Sequence, residues 1–446
     1  AHIGGGSGAE RSAVAMPGEL AVALGGKVVW LCCPCDESLQ PRQVEEAARS
    51  VAEAASARSN PVGADEVLEA FAKMGPCNKV PTSGKVRVLA PEALDQLDRC
   101  RWDGDGHFDM TRFHQKMPPH LGQVCKYIRL LDAMAEECSL VVHLSTEGER
   151  AVGSTLAGSY MVCAQNCSGL QAWEAIQKAS PTPSAQASLA WNLFPLPFAP
   201  HAEQTTATSC SVRDCLDGLE FARDLNWLDY RSFDVEAFAL MRRKFDASWI
   251  IPGEMLALGD PSLTARNPAY PDLLKPANGP KRGPPEEAPS EESEVSMLNK
   301  DTFVSLLQRL GVGSVVRLNR LHEVGDAANV YDSIFQSAGV EVVAFEFNDG
   351  ESPPRGLVKA FVNDARRRRA LTGKPVLALH CKAGLGRTGV VAGAYAAELH
   401  RVSGKAFHGW ARMSRPGSIQ THMQERYLRA IGGSSSQGSC SPCTQS

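Results

Sequence analysis

Among the chain's 14 cysteines, Cys381 alone stands between an apolar run and a loop rich in glycine, in "VLALHCKAGLGRTG" (Val376 to Gly389). The run before it predicts a buried strand ending at His380, and the Ala- and Val-rich stretch after it predicts a helix beginning near Thr388. The backbone N–H groups of Lys382, Ala383, Gly384, Leu385, Gly386 and Arg387 are then gathered at the positive end of that helix, where they form a cradle for an anion. Gly384 and Gly386 are expected to supply the positive φ and close approach that such a nest requires. The same field acts on sulfur: a cysteine at a helix N-terminus beside an arginine ionises well below a free thiol's ~8.5, which would make Cys381 a nucleophile. Arg387, six residues on, can offer its planar fork to two oxygens of one anion, a grip lysine cannot reproduce. Thiolate, amide nest and fork together describe displacement at the phosphorus of a phosphate monoester.

A cysteinyl-phosphate intermediate divides such a hydrolysis into two displacements. Thr388 is expected to donate its hydroxyl to the sulfur as it leaves in the second. His380, beside a buried strand, is expected to orient the loop rather than to carry protons. The reaction also needs an acid for the departing alkoxide that becomes the base for water. Asp349 in "FEFNDGESPP" (Phe345 to Pro354) is the candidate, since it follows a strand pattern and precedes a glycine and two prolines that mark a loop. The bland alternative is a plain Asp-Gly turn.

The elements that would position these residues alternate from about His120 onward. "HLGQVCKYIRLLDAMAEE" reads as helix, "SLVVHLS" as a buried strand and "VGSTLAGSYMVCAQ" as helix, an α/β signature. "SVRDCLDGLEFARDL" (Ser211 to Leu225) reads as a connecting helix, and a second alternation follows, with strands "SWIIPG", "GSVVRLN", "VEVVAFEFN" and "PVLALH". The halves echo each other: Arg150 lies seven residues after His143 and Arg387 seven after His380, and each loop runs into a helix with a Gly-small-Tyr triplet, Gly158 to Tyr160 and Gly393 to Tyr395. This predicts an internal duplication. The first copy has Leu144 opposite Cys381, with Ser145 and Thr146 as its nearest hydroxyls and no thiol.

Composition excludes several other classes. With 43% hydrophobic and 22% charged residues the chain reads as globular, and a formal charge of -4 argues against capture of nucleic acid. No apolar run reaches the ~18 residues of a membrane span, and the N-terminus lacks the order of a secretory signal, so an intracellular protein is expected. The cysteines are scattered, which predicts reduced thiols. "CCPC" (Cys32, Cys33, Cys35) and "CSPC" (Cys440 to Cys443) lack the second pair of a zinc site, so neither a metal nor a cofactor is expected. The Ala-rich run Gln43 to Arg58 predicts a helix with no chemistry. Residues 1–26, the Pro/Glu/Ser-rich insertion 275–296 and the Gly/Ser-rich tail 432–446 are expected to be disordered.

The residues "HCKAGLGRTG" (His380 to Gly389), "VVRLN" (Val315 to Asn319), Asp349 with Gly350, and "RPGSI" (Arg415 to Ile419) make the chain resemble the cell-division-cycle 14 dual-specificity protein phosphatases. "DCLDGL" (Asp214 to Leu219), "FDV" (Phe233 to Val235) and "WIIPG" (Trp249 to Gly253) carry the same resemblance. It implies two tandem phosphatase-like α/β domains, each a mostly parallel sheet flanked by helices. The first, 27–208, would lack the cysteine; a linker helix, 209–225, would lead to the catalytic domain, 226–431. It further implies Asp349 as general acid, Gln424 as a candidate to position water, and phosphoprotein substrates with phosphoserine before proline, the sites of cyclin-dependent kinases, in nucleus and cytoplasm. Leu170 and Gln171 stand where the family carries acidic residues, so the resemblance leaves a preference for downstream Lys or Arg open. The rival readings are a phosphoinositide phosphatase, disfavoured by Leu385 where a second loop lysine would stand, and a phosphopeptide-binding scaffold without turnover.

Overall fold

The computed structural model describes residues 20–25, 28–33, 86–89, 117–137, 140–146, 150–179, 193–194, 210–267, 270, 273, 293–325, 328–354, 356–373 and 376–431. The expected helix at Gln43 to Arg58, most of the insertion, the tail with Cys440 and Cys443, and Cys35 lie outside them.

In chain order the first half contributes β1 (Leu20–Gly25), β2 (Val28–Cys33), β3 (Val86–Leu89), helix α1 (Leu121–Glu137), β4 (Leu140–Thr146), α2 (Arg150–Cys163) and α3 (Gly169–Ala179). Its four-stranded sheet has the order β1-β2-β4-β3, with β4 parallel to both neighbours and β1 antiparallel to β2. Residues Leu20–Gly25 therefore correct the expectation of disorder over 1–26. Two uncharged β-capable runs so close in sequence can pair as a hairpin, which composition averaged over the glycine-rich terminus conceals.

A short ladder of β5 (Leu193–Phe194) with β6 (Cys210–Ser211) leads into α4 (Val212–Asp224). Ser211 caps α4, and its hydroxyl and Asp214 exchange bonds with each other's backbone N–H, a capping box of the kind whose loss costs about 1 kcal/mol. The chain continues through α5 (Val235–Phe245), β7 (Ala247–Ile251), β8 (Met255–Leu258), α6 (Pro261–Thr264), α7 (Glu294–Lys300), α8 (Phe303–Arg309), β9 (Val312–Arg317), α9 (Ala328–Ala338), β10 (Glu341–Ala344), α10 (Leu357–Thr372), β11 (Val376–His380), α11 (Gly386–His400), α12 (Gly404–Ser414) and α13 (His422–Ala430). Ser293 caps α7, so the last residues of the expected insertion are helical; an N-cap serine and the apolar Val295 and Leu298 outweigh the local Glu/Ser composition.

The five-stranded sheet has the order β10-β9-β11-β8-β7, all pairings parallel except β7 with β8. All five residues of central β11 are buried, the pattern of a parallel strand covered on both faces. Alternate side chains serve two cores: Val376 and Ala378 join Leu256, Leu306, Tyr331 and Phe335, while Leu377 and Leu379 join Phe361, Val390, Tyr395 and Trp410. The second core continues without a break into Leu219 of α4, Leu156 of α2 and Ile128 of α1. At roughly 1.5–3 kcal/mol per fully buried large side chain, it ties the first half's helices to the sheet that holds Cys381. Trp410 of α12 fixes the junction by donating its indole N–H to the carbonyl of Ile250 at 2.8 Å.

The ends of β8, β9, β10 and β11 lead in turn to Asp260, Glu323, Asp349 and Cys381. The carboxyl edge of an open parallel sheet is where such folds place ligands.

Candidate active site

Cys381 is the first residue after β11 and is buried. The loop from Cys381 to Leu385 has every carbonyl turned outward onto a partner. Cys381 O lies 3.2 Å from His380 Nδ1. Lys382 O accepts from the N–H of Asp260 at 3.0 Å. Ala383 O and Gly384 O accept from Arg415 Nη2 at 3.1 Å and Nε at 2.9 Å. Leu385 O accepts from Gly389 N–H at 3.1 Å and Ile419 N–H at 3.3 Å. A peptide plane points its C=O and the following N–H in opposite directions. The N–H groups from Lys382 to Thr388 accordingly donate to no protein acceptor among the described residues. They lie at the N-terminus of the 15-residue helix α11.

The two glycines act differently. Gly384 has φ +65°, and a Cβ there would fall 1.8 Å from Leu258 O, so any other residue would push the loop off β8. Gly386 does not take the expected positive φ. It begins α11, and a Cβ on it would approach the side-chain amides of Gln424 and Gln420 within 3 Å.

Arg387 is fully buried and holds one edge of its guanidinium on Glu323, Nη1 to Oε1 at 2.9 Å and Nη2 to Oε2 at 2.8 Å; Nη1 also donates to Phe347 O at 3.0 Å. A guanidinium carries five N–H groups. The Nε–H and one Nη2–H remain, side by side on the other edge, as a fork for two oxygens of one anion. Burial pulls the Arg387 pKa down, but the bond to Glu323 and the charges of Cys381 and Asp349 outweigh it and leave it raised. Glu323 is correspondingly held below the usual carboxylate range, chiefly by its bonds to Arg387.

Asp349 is exposed, at 59% of its side-chain surface, with Oδ1 3.3 Å from Arg387 Nε, on the free edge of the fork. Gly350 beside it has φ +74°, and its carbonyl accepts the Thr421 hydroxyl at 2.6 Å, so the Asp349 loop rests on the turn before α13. Thr388 is fully buried and its hydroxyl has no partner among the described residues. Gln424 is fully buried on α13; its Oε1 accepts the N–H of Gln420 at 3.0 Å, and its Nε2, which has no partner among the described residues, lies over Gly386. Lys382 and Ala383 are exposed at the rim, and Leu385 is half-buried.

His380 is fully buried, and burial lowers its pKa to about 4. The Cys381 carbonyl can only accept, so the neutral ring carries its proton on Nδ1 and takes the Tyr331 hydroxyl on Nε2 at 2.7 Å. The ring braces the first turn of the loop. Asp260, which caps α6, accepts from Asn319 Nδ2 at 3.0 Å and links the ends of β8 and β9 beneath it.

The structure thus brings Cys381, Arg387, Thr388, Asp349, His380, Gln424 and the loop amides together. Glu323, Tyr331, Asp260 and Arg415 also contact the site and carry no local sequence motif that marks them as part of it. A carboxylate just past β9, the strand next to the cysteine strand, is the signal that would have found Glu323. No group of three or more His, Cys, Asp or Glu arranged for a metal occurs among the described residues. No helix among them is long and apolar enough to cross a membrane.

A family model described as "Polymorphic toxin system, DSP-PTPase phosphatase" matches residues 291–399. The chain is 27% identical over 320 residues to the human "Dual specificity protein phosphatase CDC14A", a match covering 69% of this chain and 46% of that protein. It is 30% identical over 210 residues to the Caenorhabditis elegans "Tyrosine-protein phosphatase cdc-14", covering 47% of this chain and 24% of that one. The solved structure "Crystal structure of Tk-PTP in the active form" is 25% identical with a TM-score of 0.25, covering 29% of this chain and 85% of its own. The relatives named here are dual-specificity and tyrosine-protein phosphatases of the cell-division-cycle 14 (CDC14) kind, to which this chain is similar, and the chain spans less than half the length of each.

Proposed function

We propose that this chain is a cysteine-dependent protein phosphatase of dual specificity. The observation that carries the reading is the set of N–H groups from Lys382 to Thr388 that donate to no acceptor among the described residues, in a loop that begins at a buried cysteine and holds a buried arginine whose outer edge carries only the Asp349 carboxylate at 3.3 Å. The Cys381 sulfur attacks phosphorus as the ester oxygen departs. Asp349, next to the free edge of Arg387, gives that oxygen its proton. Loop amides and the Arg387 fork hold the non-bridging oxygens, whose charge they match best in the transition state. In the second displacement Asp349 takes a proton from water, which Gln424 Nε2 positions, and the Thr388 hydroxyl donates to the departing sulfur.

On the same reading the substrates are phosphoproteins. Phosphoserine or phosphothreonine before proline and phosphotyrosine are accepted, and the chain reverses cyclin-dependent-kinase phosphorylation in nucleus and cytoplasm. Supporting a protein over a lipid substrate, the named relatives are protein phosphatases, and Leu385 offers no second cation at the loop. The first half is a phosphatase-like domain without the thiol that helps to hold the peptide, and the second is the catalytic domain. Hydrolysis of a phosphoserine-proline peptide, a phosphotyrosine peptide and a phosphoinositide, each measured beside Cys381→Ser, tests this. Turnover of the two peptides, lost in Cys381→Ser, is expected. Preference for the phosphoinositide would overturn the substrate class, and no turnover of any would leave the scaffold reading.

A further inference from the structure

We propose that Arg415, with Asp246 as its counter-ion, is the positioning residue that turns the centre of the phosphate-binding loop toward its ligand; this rests on the reading of that loop as an oxyanion site. Arg415 follows α12 and is 2% exposed. Its Nε and Nη2 donate to two successive loop carbonyls, Gly384 O at 2.9 Å and Ala383 O at 3.1 Å. Because each C=O shares a plane with the following N–H and opposes it, these two bonds aim the N–H groups of Gly384 and Leu385 at the concave side. Those are the middle donors of the nest.

The loop's other carbonyls are held by backbone N–H groups or by a neutral imidazole, so Arg415 is the one charged anchor among them. Its rigid fork spans two carbonyls with fixed geometry, and its charge lies behind the amides at the side away from solvent. The guanidinium is itself held from the far side. Nη1 donates to Asp246 O at 3.0 Å and Ser248 Oγ at 3.3 Å, and Nη2 pairs with Asp246 Oδ1 at 2.9 Å. Asp246 is the left-handed residue that ends α5, with φ +47°, which lets its carbonyl and carboxylate face Arg415 together. The start of β7 thus braces the loop through one side chain.

The full chain, Arg415→Lys, Arg415→Met and Asp246→Asn would be compared by two readouts that need no turnover: protection of Cys381 from iodoacetate by tungstate, and the pH dependence of that alkylation. Loss of two charge-assisted bonds predicts tungstate binding weaker by roughly 10- to 100-fold in Arg415→Lys, with alkylation shifted to higher pH. Should Arg415→Met fail to fold, the lysine variant still decides. Asp246→Asn keeps an acceptor and loses the charge, and is expected to move both readouts the same way by a smaller factor. Wild-type tungstate affinity and alkylation profile in a folded Arg415→Lys chain would overturn the assignment; no change in Asp246→Asn would remove Asp246 from it. Hydrolysis of p-nitrophenyl phosphate by the wild type is measured alongside. Tungstate binding without hydrolysis would refute the phosphatase reading while the tungstate series still judged Arg415.

Discussion

The loops that follow β4 and β11 leave the same kind of strand. Each strand is flanked on both sides by parallel partners, β4 by β2 and β3, β11 by β8 and β9, and each chain then enters a helix whose first or second residue is an arginine, Arg150 or Arg387. One loop carries a thiol and the other, after Leu144, Ser145 and Thr146, does not. The loop after β11 is held by residues brought from elsewhere: Glu323 on the arginine, Asp349 at its outer edge, Asp260, His380 and Arg415 on the loop carbonyls.

That contrast can be broken at its strongest point by removing the fork. Arg387→Ala deletes a charged, bidentate grip and strands the partly buried Glu323, so kcat/KM on p-nitrophenyl phosphate is expected to fall by about 10³-fold or more, measured on a chain shown by circular dichroism to be folded. Asp349→Asn removes the proposed proton donor alone. A loss of ~10²- to 10⁴-fold in kcat is expected for alkyl phosphates, and much less for p-nitrophenyl phosphate, whose leaving group needs no acid. An equal loss on both substrates would mean that Asp349 only shapes its turn.

Much of this was legible in one contiguous stretch. Strand, cysteine, glycines and arginine are local, and the sulfur chemistry follows from their spacing. Glu323, Tyr331, Asp260 and Arg415 were not legible as a set, because the strand order β10-β9-β11-β8-β7, which no local pattern encodes, is what makes them neighbours. Gln424 shows the same limit. Its sequence setting, "QTHMQERYL", left it one polar residue among several, whereas the turn after "RPGSI" lays its amide over Gly386. Gln424→Ala is expected to slow the second displacement by roughly 10- to 100-fold and leave the first intact, seen as a burst of p-nitrophenol in stopped-flow traces.

The buried imidazole gives a smaller effect, on stability. His380 has a pKa near 4 in the folded chain against ~6.5 unfolded. Between those values the unfolded chain binds a proton that the folded chain refuses, so stability present at pH 7 is lost as pH falls through 6.5 toward 4. About 2 kcal/mol is expected to go between pH 7 and pH 5 from this group, read as a lower urea midpoint, and the drop should shrink in a His380→Asn chain. Burial pushes His408 the same way, so some acid sensitivity persists. The smallest expected effect is none. Leu144→Cys in a Cys381→Ser background puts a thiol on β4, away from the residues that hold the Cys381 loop, and no turnover should return; restored hydrolysis would mean that strand, loop and helix suffice.

The central claim is that the Cys381 sulfur carries the phosphoryl group between the two displacements. Rapid acid quench of the Gln424→Ala chain during turnover of a radiolabelled phosphopeptide, followed by peptide mapping, tests it directly. The account predicts label on the peptide containing Cys381, chased away with time and absent in Cys381→Ser. Label on another residue, or unchanged turnover by Cys381→Ser, would contradict it.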